Sequence, residues 1–450
     1  MKALSAREKT AYGLGAVGKD LVYSLVAGFL MYYYNTILGI SATFIGVLFM
    51  AARVFDAFND PLMGIVVEKT HTRYGKFRPW LMIGTLVNAV VLVAMFAVPT
   101  ALEGLSLLVY ASTMYILWGM TYTVMDIPFW SMIPAITTAG KERESVSVIA
   151  RSCAGVGFAL PVALTMALVP LLGAGDQRKG FMVLAAVIAV MFISLISVTV
   201  SQVKERHAPA TKSPTLKQLF QAIAKNDQAL VVVVAIVIFN ASLYLTQQLA
   251  LYFFQFDIGN AALFGIFGTV GGAAQILAMM LVPLLRKKLS RRGLLTSAIC
   301  LTLFGYTMLF LMGSFNIRHM ALLSISAVVI FMGFGVATVL TTIFLADTVD
   351  YGEWKMGQRS ESVVFSLQTF VVKLASAISV LIAGVGLDFI RLDVKAATQT
   401  AETLLGLRVL MIIVPMVGLV ISLLFFLKKY RLSEALLDQM AKDVSERGTS

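Results

Sequence analysis

Hydrophobic positions in this chain come in long blocks, separated by short polar segments rich in lysine and arginine. A predominantly apolar run of about 20 residues is long enough to cross the hydrocarbon core of a bilayer as a helix. Twelve such blocks stand at 10–36, 41–68, 79–99, 105–137, 142–172, 179–203, 227–256, 261–285, 292–313, 319–350, 360–388 and 403–429. They predict an all-α membrane protein with twelve transmembrane helices. Several blocks exceed a simple crossing, which predicts tilt or extension beyond the bilayer. The longest central polar stretch, KERHAPATKSPTLKQLFQAIAKNDQ at 204–228, carries two prolines and five lysines or arginines and divides the blocks into six and six. The expected organisation is a six-helix bundle over 1–203, a cytoplasmic middle loop over 204–226, a second six-helix bundle over 227–430 and a cytoplasmic tail over 431–450. The loops EKTHTRYGKFRPW, after the second block, and RKKLSRRGLL, after the eighth, are both basic, carry a glycine and occupy corresponding places. That correspondence fits a transporter built from two repeated halves.

Composition sharpens the membrane reading. The chain is 59% hydrophobic and 13% charged, more apolar surface than a soluble domain can hide. Cys153 and Cys300 both lie in apolar blocks and offer no disulfide framework or CxxC metal spacing. His71, His207 and His319 fall in predicted loops, which argues against a histidine metal site. The short, basic start is not followed by a small-residue cleavage site, so no signal peptide is expected. The net charge of +12 would suit nucleic acid, but its placement says otherwise. Lysine and arginine crowd the N-terminus, alternate loops and the tail, whereas the opposite loops hold only Arg178, Lys179, Arg318, Arg391 and Lys395. By the positive-inside rule both termini are expected in the cytoplasm, and the charge is topogenic, with no nucleic-acid partner.

Charge inside the blocks changes the picture more. RVFDAFNDPLMG, at 53–64, places Arg53, Asp56 and Asp60 within an apolar run. Asp20 and Asp126 are the other acids well inside blocks, and Lys19, Arg151, Lys373 and Arg408 the other bases, Arg408 near enough to a block end to snorkel. At the bilayer centre each would cost about 2.5–3.5 kcal/mol on insertion scales, so they must face protein or water. Most come from the N-terminal half, with Lys373 as the basic residue from the other half. Asp56 and Asp60 are i and i+4 on one helix face, and Asn59 shares it. Hard oxygens at that spacing suit a small alkali cation or a proton, and Thr123, three residues before Asp126, can add a hydroxyl. Trp130 is i+4 from Asp126, and an aromatic beside a carboxylate and a guanidinium is a set that binds a sugar's apolar face and hydroxyl rim. The competing reading is plain pairing: Arg53 neutralises Asp56, the other charges tie helices together, and aromatics, including Tyr32, Tyr33 and Tyr34, anchor the lipid interface.

Beyond chemistry, GKD at 18–20, RVFDAFNDPLMG at 53–64, TRYGKFRPW at 72–80, ILWGMTYTVMDIPFWSMIPAIT at 116–137, ADTVDYGEWKMGQRSES at 346–362 and SLQTFVVK at 366–373 resemble the glycoside–pentoside–hexuronide:cation symporters, most closely their melibiose permease branch. The resemblance covers nearly the whole chain. It implies a major facilitator fold in a bacterial inner membrane, functional as a monomer, and symport of a galactoside-like sugar such as melibiose with Na⁺, Li⁺ or H⁺ by alternating access. It implies no other cofactor. On the matching positions, Asp56, Asn59, Asp60 and Thr123 are the implied cation ligands, and Lys19, Asp20, Asp126, Trp130, Arg151, Gln368, Thr369 and Lys373 the implied sugar-binding residues. One departure stands out: Thr338 occupies a place where that branch carries tryptophan, which opens the identity of the sugar. The polar loops TRYGKFRPW and DYGEWKMGQRSES are candidate cytoplasmic gate contacts. An enzyme is not expected, since HExxH, GxSxG and P-loop GKS/GKT patterns do not occur. The alternatives are symport of another glycoside, a pentoside or a hexuronide, or a membrane sugar sensor that does not transport.

Overall fold

A computed structural model of the chain describes residues 4–137, 141–205, 226–356, 361–396 and 398–447, with side chains left out at a few helical positions such as 361–370. Among the described residues every regular element is a helix. The helices are α1 (Ala6–Tyr32), α2 (Ala42–Glu68), α3 (Arg78–Phe96), α4 (Gly104–Ile136), α5 (Lys141–Leu172) and α6 (Gln177–Gln202). They continue with α7 (Asp227–Tyr252), α8 (Ala262–Leu285), α9 (Arg291–Ser314), α10 (Met320–Met356), α11 (Glu361–Phe389), α12 (Ala401–Lys429) and α13 (Glu434–Arg447). Eleven helices among the described residues are long and apolar enough to span a bilayer, and α2, with its buried charges, brings the long helices to the twelve expected. Most of the middle polar stretch, 206–225, and part of the loop after α10, 357–360, lie outside the described residues.

Local signals set the helix starts. Ser5 and Glu8 form a capping box at α1, and the side chains of Ser41, Asp176, Asn226 and Ser290 accept from the first turns of α2, α6, α7 and α9. The start of α3 is served from a distance: the Glu205 carboxylate accepts the backbone N–H groups of Lys76, Phe77 and Arg78 at 2.7, 2.8 and 3.2 Å. A negative charge there meets both the unsatisfied donors and the positive end of the helix dipole.

The chain divides into two compact units, Met1–Lys212 and Ser213–Ser450. Inside the first, α1 packs on α5 and α6, α3 on α4 and α6, and α2 on α4. The second repeats each pairing six helices later: α7 on α11 and α12, α9 on α10 and α12, and α8 on α10. The repeat reaches the backbone. α1 and α7 each end in a five-residue π-helical turn, Tyr33–Ile37 and Phe253–Asp257, closed by Gly39 and Gly259 at φ +72° and +78°, values that favour glycine. In the first unit the helices can approach closely: a Cβ on Gly157 of α5 would stand 2.4 Å from the Val17 carbonyl oxygen of α1.

Two expectations are corrected. Tyr32, Tyr33 and Tyr34 are not interface anchors; they are 2%, 0% and 1% exposed. Tyr33 and Tyr34 satisfy their hydroxyls inside the bundle, donating to the Phe96 and Ala111 carbonyls at 2.7 and 3.2 Å. Arg408 does not snorkel. It grips the buried Asp257 carboxylate with Nε and Nη2 at 2.8 and 2.7 Å, a fork geometry that ties the start of α12 to the π-helical turn after α7.

Candidate functional site

The candidate residues of the first unit gather along α4. Gly119, Thr123 and Asp126 follow one another at turn spacing, so they share a face. On α2, Asp56 and Asp60 are likewise one turn apart. The Thr123 hydroxyl donates to Asp60 Oδ1 at 3.1 Å. A Cβ on Gly119 would lie 3.6 Å from Asp56 Oδ1, so the missing side chain leaves room beside that carboxylate. The two helices therefore match acid to small or hydroxyl residue, turn for turn. Arg53 Nη1 approaches Asp56 Oδ2 at 3.5 Å, which supports neutralisation but is loose for an ion pair. Asn59 is half-buried on the same helix.

One turn further along α4, Asp126 meets α1. Lys19 is 3% exposed and its ammonium lies 3.2 Å from Asp20 Oδ2 and 2.9 Å from Asp126 Oδ1. Both are ion-pair distances, so one ammonium is shared between two buried carboxylates. The ammonium also donates to the Tyr122 hydroxyl at 3.3 Å and lies 5.0 Å from the Trp130 ring centre. The other face of the problem is Arg151 on α5: exposed, its guanidinium carbon is 4.6 Å from the Trp130 ring centre. Trp130 thus sits against two cations, with its ring held edge-on by Phe129 at 5.4 Å. Phe129 stacks on Tyr12 at 4.6 Å, and the Tyr12 hydroxyl donates to the Phe129 carbonyl, which fixes this stretch of α4 against α1.

The implied residues of the first unit form two groups along α4, Asp60 with Thr123 and Lys19 with Asp20, Asp126 and Trp130; Asp56 lies beside the first and Arg151 beside the second. Lys373 is half-buried on α11 in the second unit, while the side chains of Gln368 and Thr369 lie outside the described residues. Thr338 is half-buried on α10, and its hydroxyl donates to the Phe334 carbonyl of its own helix at 2.7 Å. Sequence reasoning passed over Gly119, Tyr23 and Trp118. Gly119 and Tyr23 stand one turn from Thr123 and Lys19 respectively, and that spacing was the available signal.

The family model for MFS/sugar transport protein matches residues 11–434. The chain belongs to this family. An MFS/sugar transport protein is a multi-pass membrane transporter and not an enzyme. The chain is 30% identical over 426 residues to an isoprimeverose transporter of Lactiplantibacillus pentosus, covering 93% of this chain and 88% of that one. It is 29% identical over 453 residues to the uncharacterized symporter YjmB of Bacillus subtilis, covering 99% and 96%. Among solved structures it is similar to the nucleoside transporter NupG, with a TM-score of 0.65 at 14% identity over 95% of this chain and all of that one. At that identity the likeness concerns the MFS fold alone.

Proposed function

We propose that this MFS protein takes up a galactoside-like sugar by symport with Na⁺, Li⁺ or H⁺, through alternating access. Sugar-named and symporter-named relatives support the class, and the arrangement along α4 is the observation that carries the coupling. Thr123 and Gly119 face the α2 acids, and Asp126, on the same face, faces Lys19. In this reading Asp56, Asn59, Asp60 and Thr123 hold the cation. Two carboxylates, an amide and a hydroxyl form a hard-oxygen set of low charge, suited to a single monovalent ion or a proton on an acid.

Lys19, Asp20, Asp126, Trp130 and Arg151 hold the sugar. Within this group two acids stand against two bases, and Lys373, on the matching position of α11, is the further base that the resemblance implies. The carboxylates of Asp20 and Asp126 can accept from sugar hydroxyls, Arg151 has donors, and Trp130 offers an apolar face. A cation on the α2 acids removes negative charge one turn of α4 from the sugar group, so it favours the arrangement that binds sugar. Linkage then requires sugar to tighten cation binding by the same factor.

The test is uptake and counterflow of radiolabelled melibiose in membrane vesicles, with Na⁺, Li⁺ and proton gradients imposed separately. Asp56→Cys and Asp60→Cys should each abolish cation-driven accumulation while sugar binding survives. Full sodium stimulation in both variants would remove the cation assignment. Binding of a glucuronide or pentoside without any galactoside would replace the sugar class and leave symport standing; binding without counterflow would identify a sensor.

A further inference from the structure

Between the α2 acids and the Lys19 group lies a set of side chains with no role so far. Tyr23 is four residues after Lys19 and so continues its face of α1. Its ring centre is 5.8 Å from that of Tyr122 and 6.5 Å from that of Trp118. The Arg53 guanidinium carbon lies 5.9 Å from the same ring centre. Each neighbour belongs to a different group. Arg53 pairs with Asp56 at 3.5 Å. Tyr122 receives a hydrogen bond from Lys19 at 3.3 Å, and Lys19 pairs with Asp126 at 2.9 Å. From Asp56 to Asp126 the contacts run carboxylate, guanidinium, ring, phenol, ammonium, carboxylate, and Tyr23 is the ring in the middle.

We propose that Tyr23 is a positioning residue that couples cation occupancy at Asp56 to the orientation of Lys19. This rests on the symport reading above. Arg53 stands between the Asp56 carboxylate at 3.5 Å and the Tyr23 side chain, whose ring centre is 5.9 Å away. A monovalent cation or a proton on Asp56 cancels the attraction of the carboxylate. The guanidinium then settles on the remaining partner, the aromatic face. That load presses Tyr23 against Tyr122 and Trp118, and Tyr122 in turn holds the ammonium of Lys19. The direction of that ammonium decides which lone pairs of Asp20 and Asp126 are left for sugar hydroxyls. Trp118 completes the cluster: it is 3% exposed and stacks on Tyr122 with ring centres 5.2 Å apart, so a shift of Tyr23 is passed to Tyr122 through packed rings.

The experiment is calorimetric titration of nitrophenyl galactoside into detergent-purified full-length protein, in sodium chloride and in choline chloride. For coupled sites the sodium-induced gain in affinity is on the order of 5- to 150-fold. In Tyr23→Leu the ratio should fall towards unity, and in Tyr23→Phe, which keeps the ring, it should be retained. Asp56→Asn imitates the neutralised acid and should tighten binding in choline; adding Tyr23→Leu should cancel that gain. A merely structural tyrosine would instead shift affinity equally in both backgrounds, and that result overturns the proposal, as does an unchanged sodium ratio in Tyr23→Leu. Should the leucine variant fail to insert, Arg53→Lys keeps the charge beside Asp56 but lacks the planar face, and an undiminished sodium ratio there is equally decisive. If the unsubstituted protein binds no galactoside, the sugar class is replaced and the same titrations are made with the glycoside it binds; if sodium, lithium and acid pH all leave sugar affinity unchanged, the symport reading fails and takes this inference with it.

Discussion

The two units bury charge in opposite styles. In the second, the two acids buried among the described residues are fully engaged. Asp257 is held by two arms of Arg408, and Asp347 by Arg291 at 2.7 and 2.6 Å with the Tyr430 hydroxyl at 3.0 Å. In the first unit the buried charges sit well inside helices and are shared: one Lys19 ammonium serves two acids at 3.2 and 2.9 Å, and Arg53 is 3.5 Å from Asp56. A saturated pair fixes helices and has nothing left for a ligand. An unsaturated cluster is costly in the empty protein, and that cost is recovered only when something else completes its hydrogen bonds.

Breaking the saturated pair should have the largest effect on stability. Arg408→Met strands the Asp257 carboxylate and should destabilise the protein by about 3–5 kcal/mol, read as a lower melting temperature in detergent. Arg408→Met with Asp257→Leu should recover most of the loss. A single variant that melts like the parent would mean the pair is not scaffold.

The unsaturated cluster should answer the other way. Asp126→Asn preserves shape but weakens charge-assisted bonds to sugar, worth about 1.5–3 kcal/mol each. Sugar affinity should therefore fall by roughly tenfold or more, with little change in melting temperature. Unchanged affinity and a large drop in melting temperature would erase the distinction between the units.

A finer probe is Gly119→Ala. At 3.6 Å from Asp56 Oδ1 its methyl group makes an ordinary contact, so folding should be unaffected. It fills the room beside the carboxylate, and a few-fold loss of sodium stimulation at limiting sodium is expected; an unchanged sodium response would place the cation away from Asp56.

The smallest effect concerns the tail. Glu434, at the start of α13, accepts from Arg286 at 2.8 Å, and that contact holds its carboxyl below the usual 4.5. A depressed carboxyl stabilises the docked tail above its ordinary pKa and loses that contribution as pH falls through the lower, folded value. Proteolysis of the tail should accordingly rise modestly below pH about 4.3 in the parent, and Glu434→Gln should lose that pH dependence. The carboxylate is half exposed, so screening keeps the effect small.

The helices themselves were legible in the chain. The block at 105–137 became α4 over Gly104–Ile136, and that at 227–256 became α7 with its π-helical turn. The i,i+4 spacing of Asp56 and Asp60 put them on one face without any coordinates. What misled was the assumption that a polar group near a block end faces the interface. Tyr33 and Arg408 both point inward, because Phe96 and Asp257 supply partners that lie far away in sequence. Asp257 was passed over for the same reason: at the edge of its block it looked like a loop residue.

Sequence alone determined that this chain crosses a membrane many times, where the crossings lie, and which side chains are too charged to face lipid. Those properties are local, since lipid forces each spanning segment to satisfy its own backbone and to be apolar along its length. Tertiary structure decided which charges saturate one another, which are left incomplete, and that Tyr23 lies between two of the incomplete groups. Such outcomes depend on helix rotation and on contacts between residues more than a hundred positions apart, as with Lys19 and Asp126, and no window of sequence contains both partners.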